Sequence, residues 1–441
     1  MVGRHAVDAD TRGAPEQKTA AVKRIALVAS YAPSLLTFRG PLISDLVRLG
    51  HEVVCFAPDF TPAVLKELAG LGALARDFPL ERTGLNPLAD LKSLRELVRQ
   101  FRKWRPDVVM GYTPKPAIYG SIAARLAGVP RITPMITGLG YAFLDEPLPD
   151  PAQGASGSGN GGTRRSVRLA MKTLYRLAFR ASHEVIFHNR DDLRHLTGLG
   201  IMPAGLPVRV VSGSGVDLDL YTQTPMPPIA DGLTFLMIAR LVRYKGVAEY
   251  CAAARLVRQV APGTRFLLVG PEETGPAGFS AAALEAWRDD VQYLGASNDI
   301  RPLIGRCHVY VLPSYGEGMP RTVLEAMAAG RPIITTDTRG CRETVDERVN
   351  GCLVPAGDAK SLAEAMISFL RRPDLIPSMA RASRHKVERR FDVKIVNRDM
   401  LECLLGVQQI AVSHARRIDR ASPDALLLEN PAADLRTGAR S

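Results

Sequence analysis

The chain has 441 residues, a formal net charge of +12 and a mean hydropathy of −0.01. This length suits two or more domains that each bury a core, and no apolar run reaches the roughly 18 residues that a membrane-spanning helix needs. The polar stretch 1–22 is not typical of a secretory leader. The six cysteines are spread out without a Cys-x-x-Cys pair, which is typical of reduced core residues in a cytoplasmic protein and not of disulfides or zinc ligands.

The positive charge is concentrated in the first half, since residues 1–200 carry +9 of the total +12. A basic region of this kind predicts an anionic partner surface. Its aromatic residues are sparse and not interleaved with the basic ones, and no nucleic-acid motif is present. The composition therefore favours an anionic membrane surface over nucleic acid.

Apolar runs typical of strands alternate with helical patterns from Lys23 onward. The expected strands are 24–30, 52–57, 107–111, 131–136 and 184–188. Helical patterns lie between them at 41–50, 88–103 and 117–127. Such alternation predicts a parallel sheet covered by helices, so the first part of the chain is expected to form an α/β domain.

A Gly- and Ser-rich stretch at 149–163 is predicted to be a flexible insertion. It precedes a helical pattern with basic residues at steps of four, which are Arg164, Arg168, Lys172, Arg176 and Arg180. Beside them runs an apolar stripe of Val167, Met171, Leu174, Tyr175 and Ala178. Steps of four keep the basic side chains on one side of a helix. This face is predicted to meet anionic phospholipid; an ordinary amphipathic helix with its charges in water is the open alternative.

A second series of strands starts after a Pro- and Gly-rich stretch at 205–230. The expected strands are 233–239, 265–270, 291–294, 308–312, 333–336 and 353–355. They predict a second α/β domain, followed by a helix at 393–405. Residues 1–22 and 412–441 are expected to be disordered tails.

A basic turn follows the first strand of this second series. Arg240 and Lys245 lie between the apolar run 235–239 and Gly246, where a helix begins. Two phosphates in a cleft need cations that stay charged; Arg offers a bidentate fork and Lys a point charge. The turn is therefore a candidate diphosphate site.

Two carboxylates eight positions apart mark the segment 314–327. Glu317 precedes a short helix whose start is marked by Gly318 and Pro320, and Glu325 lies about a turn and a half inside it. Backbone amides at a helix start favour an anion. Because carboxylates accept hydrogen bonds from hydroxyls, this pattern predicts a nucleotide-sugar pocket.

These motifs resemble the signature of the retaining glycosyltransferases of family 4. The resemblance rests on the Glu-x7-Glu pattern with the following segment 326–334, and on the basic turn upstream. It implies the GT-B architecture, an α/β fold in which two Rossmann-like domains face across a cleft. The implied domains are an acceptor-side domain at 23–210, a nucleotide-sugar-binding domain at 211–392 and a helix at 393–411 that crosses back to the first domain.

The resemblance also implies roles for the motif residues. The implied donor-binding residues are Arg240, Lys245, Glu317, Gly318, Met319, Pro320 and Glu325. Arg240 and Lys245 would neutralise the donor diphosphate, and Glu317 would orient the sugar, so these three would be catalytic. Glu325 would hold the ribose. The anomeric configuration would be retained, and no metal or other cofactor is expected.

Several segments resemble family members that extend lipid-linked oligosaccharides, namely 114–120, 137–140, 237–240, 293–296 and 312–315. The expected reaction moves a sugar from a UDP-N-acetylhexosamine or UDP-hexose to a polyprenyl-diphosphate-linked glycan in cell-surface polysaccharide biosynthesis. Such an enzyme is expected to be cytoplasmic and peripheral on the inner face of the cytoplasmic membrane.

The acceptor side departs from the family pattern. Where many relatives carry a histidine, this sequence has Thr137 and Gly138. These two residues, with Arg39 and Lys115, are the candidate acceptor-side residues. Arg39 and Lys115 would meet acceptor phosphate, although either is equally explained as an ordinary surface cation.

Two other functions stay open. A UDP-sugar epimerase of the same fold would need acid–base residues around the sugar and no lipid acceptor. A non-catalytic scaffold in a polysaccharide assembly complex would have no need of the motif cations and acids. Asp217 and Asp219 have the spacing of a metal site but resemble a hinge turn of the family, and no Gly-x-Gly-x-x-Gly follows the first strand, so neither a metal centre nor a dinucleotide oxidoreductase is predicted.

Overall fold

The computed structural model describes residues 21–82, 86–140, 143, 161–273 and 277–406, with only the backbone described for 161–165. These residues belong to one compact unit, so the domain boundaries stay a prediction. The predicted tails lie outside the described residues except for the ends 21–22. Of the predicted insertion, residues 149–160 also lie outside them, whereas 161–163 are helical.

The first half of the chain builds two parallel sheets, ordered β3-β2-β1-β4-β5 and β6-β7-β8. Its strands are β1 (Arg24–Val28), β2 (Glu52–Ala57), β3 (Leu74–Asp77), β4 (Val108–Gly111), β5 (Arg131–Ile132), β6 (Met135–Ile136), β7 (Val185–Phe187) and β8 (Val208–Val210). Its helices are α1 (Pro33–Arg48), α2 (Pro62–Gly70), α3 (Pro87–Trp104), α4 (Pro114–Ala127), α5 (Gly161–Ala181) and α6 (Arg190–Gly198).

The second half builds one parallel sheet in the order β11-β10-β9-β12-β13-β14. Its strands are β9 (Thr234–Ile238), β10 (Arg265–Val269), β11 (Gln292–Tyr293), β12 (Val309–Leu312), β13 (Ile333–Thr336) and β14 (Gly351–Val354). Its helices are α7 (Val247–Val260), α8 (Ala281–Ala286), α9 (Arg301–Gly305), α10 (Arg321–Ala328), α11 (Ala359–Arg371) and α12 (Ile376–Arg390), and a last helix, α13 (Val393–Leu405), follows.

Buried apolar side chains explain the positions of these strands. Strand β9 is buried at every position, as is β12, which is typical of central strands covered by helices on both faces. The two predicted parallel α/β assemblies are confirmed. Two short strands, β3 and β8, were not predicted because their exposed and half-buried residues give no continuous apolar run.

The run predicted as one strand at 131–136 is two strands in different sheets. Strand β5 pairs with β4, and β6 pairs with β7. Pro134 lies between them and lacks the amide proton that a continuous ladder would need. The single-strand prediction is therefore wrong at this proline.

Helix α1 begins at Pro33, eight residues before the predicted start at Pro41, which lies inside the helix. Proline in a helix interior leaves the carbonyl four residues earlier without its helical donor. That carbonyl belongs to Thr37, and it accepts a hydrogen bond from Nη1 of Arg321 in the second half. A side chain from the other half of the molecule thus satisfies the group that Pro41 leaves open.

Helix α13 packs against α1 of the first half. Nδ2 of Asn397 donates to Oδ2 of Asp45 at 2.7 Å, and the helix is flanked by further contacts from Lys23, whose Nζ donates to the carbonyl of Leu405 at 2.6 Å. Its bounds agree with the helix predicted at 393–405. The chain therefore returns to the first half after completing the second.

Candidate active site

A cavity of about 260 Å³ lies between the two halves. Its wall in the second half includes Arg240, Lys245, Glu317 and Gly318. The first half contributes the segment 137–140, which follows β6. Residues that are far apart in sequence meet here because ligand sites of parallel α/β sheets lie beyond the carboxyl ends of the strands.

The basic turn after β9 supplies two cations to this cavity. Nη1 of Arg240 lies 3.2 Å from Oε2 of Glu273, and its Nη2 donates to the hydroxyl of Tyr244 at 2.5 Å. Lys245 is followed by Gly246, where φ is +76° and an added Cβ would lie 2.1 Å from the carbonyl oxygen of Pro313. Only glycine fits this close approach, so the backbone holds the lysine in place at the start of α7.

Glu317 faces these cations from the loop before α10. Its carboxylate forms an ion pair with the ammonium of Lys245. Its backbone N–H donates to the carbonyl of Arg339 at 2.9 Å, and a Cβ at Gly340 would lie 2.2 Å from the carbonyl oxygen of Glu317. The loop that carries this carboxylate is therefore fixed by backbone contacts with the segment after β13.

Glu325 is buried within α10, with 4% of its surface exposed, and does not line the cavity. Its Oε1 accepts a hydrogen bond from Nε of Arg321 at 2.8 Å. Burial raises the pKa of this carboxyl, and Arg321 and Tyr221 oppose that rise. An acid at this depth already has its partners inside the protein.

The geometry agrees with comparisons to known proteins. Residues 38–214 match the family model "Glycosyl transferase 4-like domain", and residues 232–372 match "Glycosyl transferases group 1". The motif residues from Arg240 to Glu325 all fall inside the second match. The chain is a glycosyltransferase with the GT-B fold.

Curated relatives and solved structures resemble this glycosyltransferase over most of its length. The N,N'-diacetylbacillosaminyl-diphospho-undecaprenol alpha-1,3-N-acetylgalactosaminyltransferase of Campylobacter jejuni is 29% identical over 81% of this chain and 92% of the relative. The UDP-Gal:alpha-D-GlcNAc-diphosphoundecaprenol alpha-1,3-galactosyltransferase of Escherichia coli is 26% identical over 69% and 77%. The structure of HepE from Anabaena in complex with UDP is 19% identical, with a TM-score of 0.65 over 87% of this chain and 100% of HepE.

The glycosyltransferase brings together part of the predicted donor set. Arg240, Lys245, Glu317 and Gly318 line one cavity. Met319, Pro320 and Glu325 do not line it. Met319 packs against Gly213, where an added Cβ would lie 2.6 Å from its Cγ, and Pro320 is the residue that precedes α10.

Of the predicted acceptor-side residues, Thr137 and Gly138 line the cavity. Arg39 and Lys115 do not fit the predicted contact with acceptor phosphate, because both are buried away from the cavity. Nζ of Lys115 pairs with Oδ1 of Asp90 at 2.8 Å. Lys115 therefore has its charge partner inside the first half.

Arg39 lies inside the first half with 1% of its surface exposed. Its guanidinium lies over the ring of Tyr112 at 5.0 Å and 3.4 Å from Nε2 of His188. Burial lowers the pKa of Arg39 to about 10. The interpretation of Arg39 as an acceptor-phosphate ligand is therefore wrong for this structure.

Two charged residues in the cavity wall were not predicted, Arg339 and Asp192. Arg339 lies three residues after β13, the strand next to β12, so the position of a cation beyond a central strand end was the available signal. Asp192 lies in the first turn of α6, and nothing in its sequence pattern distinguishes it from an ordinary helix-start acid.

Asp217 and Asp219 lie outside the cavity. Oδ1 of Asp217 accepts from the backbone N–H groups of Asp219 and Leu220 at 2.9 and 3.1 Å, and Oδ2 of Asp219 pairs with Lys394 at 2.8 Å. These contacts make a local turn. Among the described residues no group of His, Cys, Asp and Glu is placed to hold a metal ion.

Proposed function

We propose that this glycosyltransferase moves a sugar from a nucleoside diphosphate sugar, a UDP-N-acetylhexosamine or UDP-hexose, to a polyprenyl-diphosphate-linked glycan in cell-surface polysaccharide biosynthesis. The observation that carries the proposal is the cavity in which Arg240, Lys245 and Glu317 meet between the two halves. The names of the Campylobacter and Escherichia relatives both include a diphosphoundecaprenol-linked sugar, which supports this acceptor class.

The donor site follows from the charges. Arg240 and Lys245 neutralise the diphosphate. Lys245 is paired with Glu317 before the donor binds, so the donor has to break this ion pair. When the diphosphate takes the ammonium of Lys245, the carboxylate of Glu317 is released to accept hydrogen bonds from hydroxyls of the sugar. Fixed cations beside a leaving diphosphate stabilise the charge that grows on it, which is commonly the largest electrostatic contribution to catalysis.

Glu325 holds the donor ribose in this proposal, but only after a rearrangement. Arg321 now occupies its Oε1, and the same guanidinium reaches the carbonyl of Thr37. Donor binding would therefore turn Arg321 away from the carboxylate. Once Arg321 leaves, the carboxylate of Glu325 accepts hydrogen bonds from the ribose hydroxyls.

The sugar keeps its anomeric configuration in the proposed reaction. The acceptor hydroxyl attacks the anomeric carbon from the face that the diphosphate leaves, and the leaving diphosphate takes the acceptor proton. Arg240 and Lys245 supply the positive charge that a metal ion would otherwise supply, so no cofactor is proposed. Closure of the acceptor-side domain (23–210) on the donor domain (211–392) keeps water from the anomeric carbon.

The acceptor reaches the cleft from a membrane surface in this proposal, with the protein peripheral on the inner face of the cytoplasmic membrane. No helix in the described ranges is long and apolar enough to cross a bilayer. Helix α5 supports surface contact, since Leu169 and Leu177 expose 66% and 48% of their surface there. Exposed leucines beside basic side chains are typical of helices that lie on anionic membranes.

The decisive experiment incubates the purified protein with radiolabelled UDP-sugars and a diphosphoundecaprenol-linked monosaccharide. We expect one UDP-sugar to label the lipid product, and calorimetry to detect UDP binding. Conversion of a UDP-sugar in the absence of acceptor would instead identify an epimerase. Protein that neither binds UDP nor labels the lipid would contradict the proposal and favour a scaffold.

A further inference from the structure

Asn189, which caps helix α6, contacts the loop of the second half that carries Glu317 and Gly318. Asn189 is fully buried. Its Oδ1 accepts from the backbone N–H of Asp192 at 2.7 Å, which caps the helix. Its Nδ2 donates both to Oδ2 of Asp192 at 3.0 Å and to the carbonyl oxygen of Gly318 at 2.6 Å. One side chain therefore ends a helix in the first half and binds the backbone of the second.

Ionic contacts surround this hydrogen bond. Oδ2 of Asp191 pairs with Nη1 of Arg342 at 2.8 Å. Oδ1 of Asp192 lies 3.7 Å from Nη1 of Arg339, and both of these side chains are largely buried. The start of α6 thus contacts the second half through three side chains, those of Asn189, Asp191 and Asp192.

The backbone at Gly318 lies close to the backbone of the first half. A Cβ at Gly318 would lie 1.7 Å from the carbonyl oxygen of Thr137, and a Cβ at Gly138 would lie 3.0 Å from the backbone nitrogen of Gly318. The residue before Gly318 is Glu317. The position of the Glu317 carboxylate therefore depends on a backbone that the first half touches on two sides.

We propose that Asn189 is a positioning residue of the transfer reaction, which holds the carbonyl of Gly318 so that the Glu317 carboxylate faces the donor sugar. The inference rests on the proposed role of Glu317 in the donor site. Asn189 acts through the loop and not on the substrate. Because its partner belongs to the other half, the bond forms only when the two halves are closed, and closure thereby completes the sugar site.

The choice of asparagine supports this role. Asparagine, aspartate and serine cap helices about equally well, so capping alone explains any of the three. Only asparagine among them combines a capping oxygen with an N–H donor on the same short side chain at a reach that serves both sites. The cap uses Oδ1 of Asn189, whereas the bond to Gly318 requires its amide nitrogen, which also donates to Asp192.

The test compares Asn189→Ser with the wild type. Serine keeps a capping oxygen but removes the donor to Gly318. We expect kcat for transfer to the lipid-linked acceptor to fall about tenfold, as for loss of one donor to a buried carbonyl. The dissociation constant for UDP should change less than about threefold, since UDP lacks the sugar that Glu317 orients. The unfolding temperature should stay within about 2 °C.

Two further variants keep the test sharp. Asn189→Asp preserves the cap and turns a carboxylate toward the Gly318 carbonyl and Asp192, so a larger loss of kcat is expected. Asn86→Ser is the matched control, because Asn86 caps α3 through the N–H of Ala89 at 3.3 Å and touches no part of the cavity. It should leave kcat unchanged.

An active wild type with unchanged kcat in both Asn189 variants would overturn the inference alone. A parallel loss of UDP affinity and kcat would also overturn it, because that result indicates general disruption. Wild-type protein without UDP binding or transfer would overturn the proposed function, and this inference with it.

Discussion

Lys245 and Glu317 form an ion pair in the wall of the cavity. Each could be predicted from its local sequence, since the lysine follows an apolar strand and the glutamate precedes a marked helix start. Their pairing could not, because 72 residues separate them and the register of β9 beside β12 decides it. By contrast, the pair of Arg321 and Glu325 has the i,i+4 spacing of a helical ion pair, so that contact was readable from the sequence.

Lys245→Ala and Glu317→Ala should each lower kcat by at least about 100-fold, because each removes one contact to charge or hydroxyl at the reacting centre. Initial rates with a saturating UDP-sugar and lipid-linked acceptor measure this. Lys394→Ala is the control, since Lys394 is exposed and pairs with Asp219 outside the cavity. Near-normal rates in both cavity variants would show that the roles are wrongly assigned.

His188 illustrates a residue whose behaviour depends on the fold alone. It is buried beside Arg39, and burial, reinforced by that cation, holds its pKa well below 6.5. The unfolded chain then binds a proton below about pH 6.5 that the folded protein does not. The stability linked to His188 is therefore complete above that pH and is lost as the pH falls.

Between pH 7 and pH 5.5 the free energy of unfolding should fall by as much as about 1.4 kcal/mol per pH unit for this group. His188→Gln should make the decline shallower, as measured by urea unfolding at each pH. The decline will not vanish, because the pKa values of His51, His183 and His308 are also lowered. A variant at 188 with the wild-type slope would contradict the prediction.

At the scale of elements, helix α5 shows what periodicity can and cannot predict. Its basic steps of four predicted the helix, and Tyr175 and Ala178 of its apolar stripe are buried. The pattern did not show that Arg176 would donate to the carbonyl of Gly200 at 2.9 Å, or that Arg168 would lie over the ring of Phe143. Basic residues at one period thus divide between internal contacts and the surface, depending on which neighbours the fold supplies.

Replacing Arg168, Lys172 and Arg180 together by Gln should weaken binding to liposomes rich in anionic lipid by roughly 100-fold at low salt, given about 1 kcal/mol for each basic residue near the surface. Co-sedimentation measures the change. The matched control replaces Arg371, Arg381 and Arg389, three exposed residues of the second half, and so removes the same charge. Equal effects in the two triple variants would mean that net charge and not α5 binds the membrane.

At the scale of the whole molecule, the alternation of apolar runs and helical patterns predicted two parallel α/β assemblies. The contacts between them were not predictable, because they join single polar side chains to backbone carbonyls and no periodic sequence pattern marks such residues. The bond from Asn189 to Gly318 and the bond from Arg321 to Thr37 are both of this kind. Each links the first half to a residue beside one carboxylate of the Glu-x7-Glu pair. Assembly of the two halves, and not the motif alone, therefore decides how the acids are presented.

Pro41 makes a test of this statement possible. Pro41→Ala would provide an amide proton four residues after Thr37, and this proton would compete with Arg321 for the Thr37 carbonyl. We expect α1 to become more regular while the two halves separate more readily, which small-angle scattering would record as a larger radius of gyration without UDP. Gly40→Ala, where an added Cβ meets nothing within 4 Å, is the neighbouring control. An unchanged radius of gyration in Pro41→Ala would show that the bond between Arg321 and Thr37 does not hold the two halves together.

Pro41 thus affects a contact between the two halves although it does not line the cavity. Because Pro41 has no amide proton, the Thr37 carbonyl accepts a hydrogen bond from Arg321 instead. In the proposed function, the same guanidinium moves away from Glu325 when ribose binds. Donor binding and separation of the two halves would then both require Arg321 to change its hydrogen-bond partners. Movement of this one side chain would accompany the start and the end of each turnover.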